Sequence, residues 1–338
     1  MQHNEGKVIY FILNAGGEFG LGHLIRCKTL GEELSYHDYK CIYIIDNIYD
    51  KNFKEFITNN NHILIEKSIN EINFIIKSYG KPLLTILDKK YISQKEVNFL
   101  KTFSRILLIN DNKREIKSDY ILNTNIFEEE IKYKKVIKEN VIQGSDYNLI
   151  DDYYFELRNI YNSKSNKILI TMGGEDPSNS TLYILKLLRK LNSINEKLIV
   201  IGPSHPKPNE IYEECKKYHK NYQIYSSPNT LKPYFSQVKI CFSASGLTLL
   251  DLVAANIPTI AIPLEFHQEA LYLNCLKNNL ISDISKLEKL EGNNKIEIND
   301  FFPLAKRNKL RKSCDTFIKR SGISAIVKWI FANIFNEK

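Results

Sequence analysis

The chain opens with a short hydrophobic run, a glycine-rich turn and a helix, and this order limits the folds that it can adopt. Residues 8–13, Val-Ile-Tyr-Phe-Ile-Leu, carry no charge and are mostly β-branched or aromatic, which predicts a buried strand. Apolar residues then recur on one helical face, at Leu24, Cys27, Leu30 and Leu34. Together the two patterns predict the first strand, turn and helix of an α/β sheet.

The turn between the two elements contains glycines at positions 16, 17, 20 and 22. Glycine lets a ligand approach the backbone and tolerates positive φ angles. The free N–H groups of the following helix would face an anion, as in other nucleotide-binding βα turns. The spacing lacks the G-x-G that begins the dinucleotide-binding fingerprint. The segment therefore predicts either a phosphate-binding loop or a tight turn without a ligand.

His23 and Arg26 lie at the start of the predicted helix. The positive end of the helix dipole favours a neutral imidazole, which is the form that can accept a proton. His23 is thus either a general base or a residue that caps or packs locally. Arg26 lies about one turn further on, where it would meet a phosphate or pair with a surface carboxylate.

The composition predicts a globular, cytoplasmic protein of two domains. A chain of 338 residues exceeds one ordinary α/β core, and 43% hydrophobic and 11% aromatic content exclude general disorder. No apolar run approaches the roughly 20 residues that span a membrane, and the first residues lack the apolar stretch of a signal peptide. The six cysteines form no C-x-x-C pair, so we expect neither a zinc site nor a disulfide framework.

The net charge of +8 favours anionic ligands or anionic surfaces without choosing between them. The densest basic run consists of Lys306, Arg307, Lys309, Arg311 and Lys312. Because no aromatic residues alternate with these side chains, we expect a solvated helix face rather than a nucleic-acid site. The same region is suited to peripheral contact with an anionic membrane.

Strand patterns recur in two series on either side of a charged, irregular stretch. They fall at residues 39–46, 62–66, 83–88, 105–110 and 120–123, and again at 167–171, 197–201, 222–225, 239–242 and 259–262. Helical patterns alternate with most of them, which favours two doubly wound parallel sheets. We predict an N-terminal Rossmann-like domain over residues 1–160 and a C-terminal one over 161–338, with the last helix packed back on the first domain. A ligand would bind between the carboxyl ends of their strands.

Two strand-end loops of the second half are suited to phosphate. Gly173 and Gly174 lead to a helix that begins near residues 178–180, which predicts a diphosphate site or simply a well-capped helix. Residues 245–248 present small side chains and hydroxyl groups before another helix. Asp251 lies one to two turns into that helix. Its carboxylate would either accept hydrogen bonds from both ribose hydroxyls or face solvent.

Four segments, in order, resemble the UDP-sugar hydrolase family of pseudaminic acid biosynthesis and its relatives among spore-coat polysaccharide proteins. Residues 20–26, Gly-Leu-Gly-His-Leu-Ile-Arg, match the family's G-x-G-H-x-x-R signature. Residues 144–149, Gly-Ser-Asp-Tyr-Asn-Leu, resemble its G-x-x-Y-x-L segment, and residues 172–177, Met-Gly-Gly-Glu-Asp-Pro, match its second-domain loop. Residues 245–248, Ser-Gly-Leu-Thr, with Gln268 further on, resemble its nucleotide-binding loop and the segment beyond it. The similarity covers most of the chain.

The resemblance implies a GT-B fold, with two Rossmann-like domains and an interdomain cleft. It also implies an enzyme that hydrolyses a UDP-linked deoxy-amino sugar with inversion at the anomeric carbon, with His23 as the base. The residues expected to contact the sugar are Gly20, Gly22, Arg26, Asp88 and Tyr91. Those expected to bind the nucleotide are Gly173, Gly174, Asp176, Ser245, Gly246, Thr248, Asp251 and Gln268.

The expected partners are a nucleotide-sugar, with UDP as the favoured carrier, and an anionic membrane surface in peripheral contact; the protein is expected to be a monomer that binds no nucleic acid. No cofactor is implied. Helix N-termini and backbone N–H groups would stabilise the departing nucleotide, and no D-x-D motif or histidine cluster indicates a divalent ion, so we also expect no metal.

Three departures from the family pattern leave the sugar and the nucleobase open. Residues 250–252 are Leu-Asp-Leu where the family has Trp-Glu-Arg. The family's Asp-x-Tyr becomes Asp-Lys-Lys-Tyr at residues 88–91, with one extra residue. Asp151 stands where an arginine usually follows the Tyr-x-Leu segment.

Two other functions fit the same fold. An inverting glycosyltransferase would use the same base with a sugar hydroxyl in place of water, and both the Leu-Asp-Leu segment and the basic C-terminal region favour it. A non-catalytic sugar-nucleotide-binding protein is the other alternative. The presence of His23 at the matched position argues against it.

Overall fold

The computed structural model describes residues 7–16, 21–45, 62–111, 115–127, 140–218, 221–228, 230–288 and 297–336. The chain divides into two compact units. The N-terminal unit comprises residues 1–150 together with 321–338, and the C-terminal unit comprises residues 151–320. Each unit contains one parallel sheet.

The sheet of the N-terminal unit has the strand order β3-β2-β1-β4-β5-β6-β7. Its strands are β1 (Val8–Leu13), β2 (Lys40–Ile45), β3 (His62–Glu66), β4 (Leu84–Asp88), β5 (Arg105–Ile109), β6 (Tyr120–Leu122) and β7 (Val141–Ile142). The helices between them are α1 (Gly22–Ser35), α2 (Ile72–Tyr79) and α3 (Gln94–Leu100). All of these neighbouring strands pair in parallel, so helical crossovers cover the sheet and its central strands are buried.

The core of this unit forms where α1 packs on the sheet. β1 is buried along its whole length. The predicted helical face is the buried one, and it consists of Leu24, Cys27, Leu30 and Leu34. Gly31 allows this close approach, because a Cβ there would lie 2.0 Å from the hydroxyl oxygen of Tyr43.

The sheet of the C-terminal unit has the strand order β10-β9-β8-β11-β12-β13, again with parallel pairing. Its strands are β8 (Lys167–Thr171), β9 (Glu196–Ile201), β10 (Tyr222–Ser226), β11 (Ile240–Ala244), β12 (Thr259–Ile262) and β13 (Ser282–Asp283). Its helices are α4 (Asp152–Glu156), α5 (Ser180–Lys190), α6 (Pro208–Lys216), α7 (Lys232–Phe235), α8 (Leu247–Ala254), α9 (Phe266–Lys277), α10 (Ser285–Glu288), α11 (Ile298–Phe301) and α12 (Leu304–Phe317).

The basic run lies on α12, and its side chains are not all solvated. Arg307 is 1% exposed and donates from Nη1 to the carbonyl oxygen of Phe302. Arg311 is half-buried and donates to the carbonyl oxygens of Asn256 and Arg158. The prediction of a solvated face is therefore wrong for Arg307, whose guanidinium donates to the Phe302 carbonyl and to the side-chain oxygen of Asn299 instead.

The last helix, α13 (Ile323–Ile330), belongs to the N-terminal unit. Its buried residues join the same core as β1 and α1, and they are Ile323, Ile326, Val327 and Ile330. Arg105, at the start of β5, donates a hydrogen bond to the carbonyl oxygen of Ile334 just beyond the helix.

β1 and β8 occupy equivalent places in the two sheets. In each sheet the next two strands of the chain lie on one side of this first strand, and the fourth lies on its other side. The fourth strand is β4, beside β1, in one sheet and β11, beside β8, in the other. Ligands of open α/β sheets bind outside the carboxyl ends of the strands at such switch points. Leu13 is in register with Asp88 at the first, and Thr171 with Ser243 at the second.

The predicted fold class is confirmed, since both units are parallel α/β sheets flanked by helices. Each predicted strand is present and ends within two residues of its expected position in the described part of the chain. The sequence does not predict β7 and β13, which have only two residues each. No helix among the described residues has the length and apolarity needed to cross a bilayer.

Gly322, which precedes α13, offers a test of how tightly this helix is attached. A Cβ there would lie 2.3 Å from the backbone nitrogen and 2.6 Å from the carbonyl oxygen of Asn148, so the backbone must move to admit it. We expect Gly322→Ala to lower the free energy of unfolding by about 1–3 kcal/mol, measured by thermal or urea denaturation. Gly246→Ala is the control, because no atom lies within 4 Å of a Cβ at that position. Equal stability of the two variants would contradict the prediction.

Candidate active site

His23 and Asp88 meet at the switch point of the N-terminal unit. His23 is the second residue of α1, and Asp88 is the last residue of β4. The ring nitrogen Nδ1 of His23 lies 2.8 Å from Oδ1 of Asp88. The His23 side chain is 24% exposed, whereas that of Asp88 is 1% exposed. The helix start and the strand end thus bring an accessible imidazole onto a buried carboxylate.

Arg26, one turn further along α1, binds the same carboxylate through two nitrogens. Its Nε donates to Oδ2 of Asp88 at 2.6 Å and its Nη2 to Oδ1 at 2.5 Å. The remaining terminal nitrogen, Nη1, forms an ion pair with Asp111, which follows β5. The guanidinium therefore lies between two carboxylates, with Nε and Nη2 bound to Asp88 and Nη1 bound to Asp111.

Burial by itself would raise the pKa of Asp88. The positive charge of Arg26, the proximity of His23 and the hydrogen bonds from both side chains outweigh it, so the pKa of Asp88 lies well below its ordinary value. The thiol of Cys27 donates to Oδ2 of Asp88 at 3.5 Å, and burial followed by the charge of Asp88 raises the pKa of this thiol. Asp88 is thus ionised and its oxygens are occupied by His23, Arg26 and Cys27.

The other residues predicted to contact the sugar are Gly20, Gly22 and Tyr91. Gly22 is the first residue of α1, while Gly20 falls outside the described residues. Tyr91 lies three residues beyond Asp88 and is 64% exposed. The side-chain oxygen of Asn14, just after β1, accepts a hydrogen bond from the backbone nitrogen of Lys90 at 2.9 Å, which ties the turn after β1 to the turn after β4.

In the C-terminal unit the Gly173–Gly174 turn leaves β8 at the second switch point. Gly173 has φ of +82°, a conformation that favours glycine, and a Cβ there would meet no atom within 4 Å. Behind the turn, a Cβ on Gly202 would lie 2.2 Å from the carbonyl oxygen of Gly173 and 2.4 Å from that of Gly174. The turn is therefore supported from behind by the end of β9 and open on its other side.

Asp176 caps the helix that follows this turn. It is 2% exposed, and its Oδ1 and Oδ2 accept hydrogen bonds from the backbone nitrogens of Ser180 and Thr181 at 2.7 and 2.8 Å. Nε2 of the buried His205 lies 3.3 Å from Oδ2. The carboxylate thus supports the helix start, which is the well-capped helix that the sequence offers as an alternative.

The second loop of this unit, Ser245–Thr248, follows β11 beside the first. The Oγ of Ser245 is buried and has no hydrogen-bond partner among the described residues. Gly246 is the N-cap of α8, with open space where a Cβ would lie, and Thr248 is half-buried in the first turn. The loop therefore presents an unpaired hydroxyl and the free N–H groups of a helix start at the carboxyl edge of the sheet.

Asp251 lies one turn further along α8, where Asp151 and Lys232 act on it. Desolvation raises the pKa of its carboxyl group well above the ordinary value, the charge of Asp151 adds to the effect, and Lys232 opposes it. Lys232 in turn binds Oδ2 of Asp151 at 2.5 Å and lies 4.9 Å from the ring centre of Tyr153. Asp251 is half-buried, so it is not the solvent-facing aspartate that the sequence allows.

Gln268 is held by the backbone of its own loop. Its Oε1 accepts a hydrogen bond from the nitrogen of Leu264 at 3.0 Å, within the first turn of α9. This leaves the amide nitrogen as the group with which Gln268 can donate to a ligand. No three or more His, Cys, Asp or Glu side chains converge as a metal site in the part of the chain that the structure describes.

The sequence interpretation missed Asp111, Thr124 and Lys232. Asp111 and Thr124 come one residue after the predicted strands 105–110 and 120–123, and two residues after the observed β5 and β6, at the same edge of the sheet as Asp88. Position at a strand end is therefore the signal that would have found these two. Lys232 follows a longer connection after β10, and nothing in its local pattern sets it apart.

Comparison with known proteins supports the fold and gives two distant relatives. The chain is 24% identical over 315 residues to MJ1062, an uncharacterized protein of Methanocaldococcus jannaschii, which covers 86% of this chain and 65% of that protein. It is 22% identical over 271 residues to the spore coat polysaccharide biosynthesis protein SpsG of Bacillus subtilis, covering 76% of this chain and 77% of SpsG. No protein-family model matches the chain.

Solved structures match over nearly the whole chain. MurG of Acinetobacter baumannii superposes with a TM-score of 0.60 at 13% identity, covering 95% of this chain and 99% of MurG. UGT2 of Phytolacca americana, complexed with UDP-2fluoro-glucose and pterostilbene, superposes with a TM-score of 0.65 at 8% identity, covering 97% and 99%. The chain therefore has the two-domain, Rossmann-like fold of the GT-B glycosyltransferases.

The ionised state of Asp88 makes stability depend on pH. Because its pKa is depressed in the folded protein, its contribution is complete above the unfolded value of about 3.9 and is lost as the pH falls towards the folded value. We expect Asp88→Asn to lower the free energy of unfolding by about 3 kcal/mol at neutral pH, and to make its decline below about pH 4 shallower. Urea denaturation at several pH values measures both effects.

Asp38→Asn is the control for this experiment. Asp38 is exposed in the turn after α1 and has φ of 64°, a conformation that asparagine accepts well. The control should keep the wild-type dependence of stability on pH. An equally steep fall in the free energy of unfolding of Asp88→Asn below about pH 4 would contradict the prediction.

Proposed function

We propose that this chain is an enzyme of glycan biosynthesis that hydrolyses a nucleotide-activated sugar with inversion at the anomeric carbon. The observation that carries the proposal is the hydrogen bond of 2.8 Å between the accessible His23 ring and the buried Asp88 at a switch point. SpsG is named for polysaccharide biosynthesis, and the UGT2 structure contains UDP-2fluoro-glucose. Both relationships support a nucleotide-sugar substrate, and the resemblance to pseudaminic acid enzymes favours a UDP-linked deoxy-amino sugar.

His23 is the general base in this proposal. Ionised Asp88 can only accept hydrogen bonds, so it keeps the imidazole proton on Nδ1 and leaves Nε2 to accept a proton. Nε2 takes that proton from water as the water oxygen bonds to the anomeric carbon. The bond from this carbon to the phosphate oxygen breaks, and the nucleoside diphosphate leaves with the electron pair. Asp88 stabilises the imidazolium that forms.

The loops of the C-terminal unit bind the leaving diphosphate in this proposal. The first turn of α8 directs backbone N–H groups to the carboxyl edge of the sheet, and the buried Ser245 hydroxyl is available to donate. At the start of α5, the N–H groups of Ser180 and Thr181 already donate to Asp176. Gly173 and Gly246 leave room for phosphate oxygens. Because these groups stabilise the charge on the leaving diphosphate, we propose a reaction that needs no metal.

Asp251 is the residue that we assign to the ribose. It lies on α8, one turn beyond the proposed phosphate loop, and a carboxyl group there can form hydrogen bonds with two vicinal hydroxyl groups. Burial and the charge of Asp151 raise the pKa of this carboxyl group, and Lys232 opposes that rise. Asp176 supports the phosphate loop from within and does not touch the nucleotide, because helix N–H groups occupy both of its oxygens.

A glycosyltransferase is the second candidate, because MurG and UGT2 share this fold. The base and leaving group would be the same, and a sugar hydroxyl would replace water. Product analysis by NMR separates the two functions, using UDP- and CMP-linked deoxy-amino sugars with and without an added glycan acceptor. Nucleotide release without acceptor, together with free inverted sugar, supports the hydrolase. Release that requires an acceptor contradicts it.

Replacing the proposed base tests the mechanism. We expect His23→Ala to lower turnover by about 10²- to 10⁴-fold, the contribution of a positioned general base. Its affinity for UDP, measured by calorimetry, should stay within about twofold of wild type, because His23 does not belong to the nucleotide-binding unit. His37→Ala, at an exposed turn just after α1, is the matched control and should keep wild-type turnover. Wild-type turnover in His23→Ala would reject the role.

Gly246→Ala tests the proposed phosphate loop. The free protein has space for the added methyl group, so its stability should change by less than about 1 kcal/mol. A phosphate placed against this backbone would collide with the methyl, and we expect UDP to bind at least about tenfold more weakly, a loss of about 1.4 kcal/mol. Calorimetry gives the affinity, and unchanged UDP binding by the folded variant would place the phosphates elsewhere.

A further inference from the structure

We propose that Asp111 is a positioning residue, which sets the basicity and orientation of His23 through Arg26 and Asp88. The proposal rests on the function proposed above. It extends the His23–Asp88 pair into a chain of four ionisable side chains, which includes Arg26 and Asp111. The chain runs from α1 across the carboxyl ends of β4 and β5.

The contacts of Asp111 fix its carboxylate at both oxygens. Oδ2 forms the ion pair with Nη1 of Arg26. Oδ1 accepts two hydrogen bonds of 2.8 Å from Thr124, one from the backbone nitrogen and one from Oγ1. Thr124 follows β6, so the sheet itself holds Asp111 in place. A carboxylate anchored in this way fixes the position of Nη1, the guanidinium nitrogen that does not bind Asp88.

The anchoring matters because Arg26 is nearly buried and would otherwise be free to shift on its long side chain. Its side chain is 10% exposed, and its paired nitrogens divide between Asp88 and Asp111. With Nη1 held by Asp111, Nε and Nη2 meet the two oxygens of Asp88 in a bidentate pair. That pair fixes the rotation of the Asp88 carboxylate, and hence the direction in which it accepts the hydrogen bond from His23.

The charges of the group lead to the same conclusion. Two carboxylates and one guanidinium leave a net charge of −1 beside the His23 ring, and the neighbouring Cys27 thiol is neutral because burial raises its pKa. If Asp111 were neutral, Arg26 would cancel Asp88 alone and the net charge would be zero. The imidazolium of His23 would then lose part of its stabilisation. Asp111 therefore makes His23 a stronger base.

The test is an NMR titration of the histidine rings in Asp111→Asn, with the His23 signal assigned by its loss in His23→Ala. We expect the titration midpoint of His23 to move to lower pH by about half a unit or more. The acid limb of the kcat/KM profile should move with it, and kcat should fall about 10-fold as the ring loses its orientation. Asp111→Glu restores the charge and should return the midpoint towards that of wild type.

Asp119→Asn is the matched control, because Asp119 pairs with Lys101 and lies just before β6, at the opposite end of that strand from Thr124. It removes the same charge from the same unit and should leave the His23 midpoint unchanged. If the asparagine variant does not fold, Asp111→Ser is the second neutral variant, since its hydroxyl can still accept the Thr124 N–H. An unmoved midpoint in a folded neutral variant overturns the proposal.

This experiment separates the proposal from the function on which it rests. The ring titration needs no substrate, so it reports the coupling of Asp111 to His23 even if no nucleotide-sugar is turned over. Turnover lost in His23→Ala with an unmoved midpoint in Asp111→Asn would leave His23 as the base and reject the role of Asp111. A structural role alone would lower stability without moving the midpoint.

Discussion

The ion pair between Arg26 and Asp88 is the interaction on which the site of the N-terminal unit depends. A carboxylate that is 1% exposed cannot remain ionised without compensation, because desolvation favours the protonated acid. Arg26 provides that compensation through two hydrogen bonds, and it reaches Asp88 only because α1 begins directly beside the end of β4. The ionised Asp88 then dictates which nitrogen of His23 carries the proton. The tautomer of the accessible imidazole thus follows from an ion pair inside the protein.

The two units use the same topology for different chemistry. In both, the first strand of the sheet adjoins a strand that the chain reaches only after crossing over, and the loops at that point carry the candidate site residues. In the N-terminal unit these loops carry charged side chains that bind one another. In the C-terminal unit they carry glycine, serine and the start of α8, whose first N–H groups have no side-chain cap. In the function proposed above, the first arrangement serves proton transfer and the second serves anion binding.

Much of the fold could be predicted from the sequence, because buried parallel strands are continuous hydrophobic runs and their crossovers have helical periodicity. Both His23 and Asp88 could also be named from a motif. The contact between them could not be predicted, because 65 residues separate them and no local pattern shows which side chain hydrogen-bonds to the Asp88 carboxylate. Asp111 and Thr124 could have been picked out by their position at strand ends, but their contacts with Arg26 and with each other could not. Their importance arises from the buried charge of Arg26, which only the packed sheet brings to them.

Near Asp251 the chain differs from the hydrolase family that its sequence resembles, and side chains from elsewhere in the fold surround this position. Residues 250–252 lack the aromatic and cationic neighbours that the family has beside this acid. The structure brings Lys232 from α7 and Tyr154 from α4 near this acid instead. Lys232 opposes the rise that burial causes in the pKa of Asp251, and burial together with the charge of Asp251 raises the pKa of Tyr154. Lys232 also pairs with Asp151, the residue that stands where the family has an arginine. The side chains around Asp251 therefore differ from the family pattern in both charge and shape, which bears on the nucleoside that the proposed site would accept.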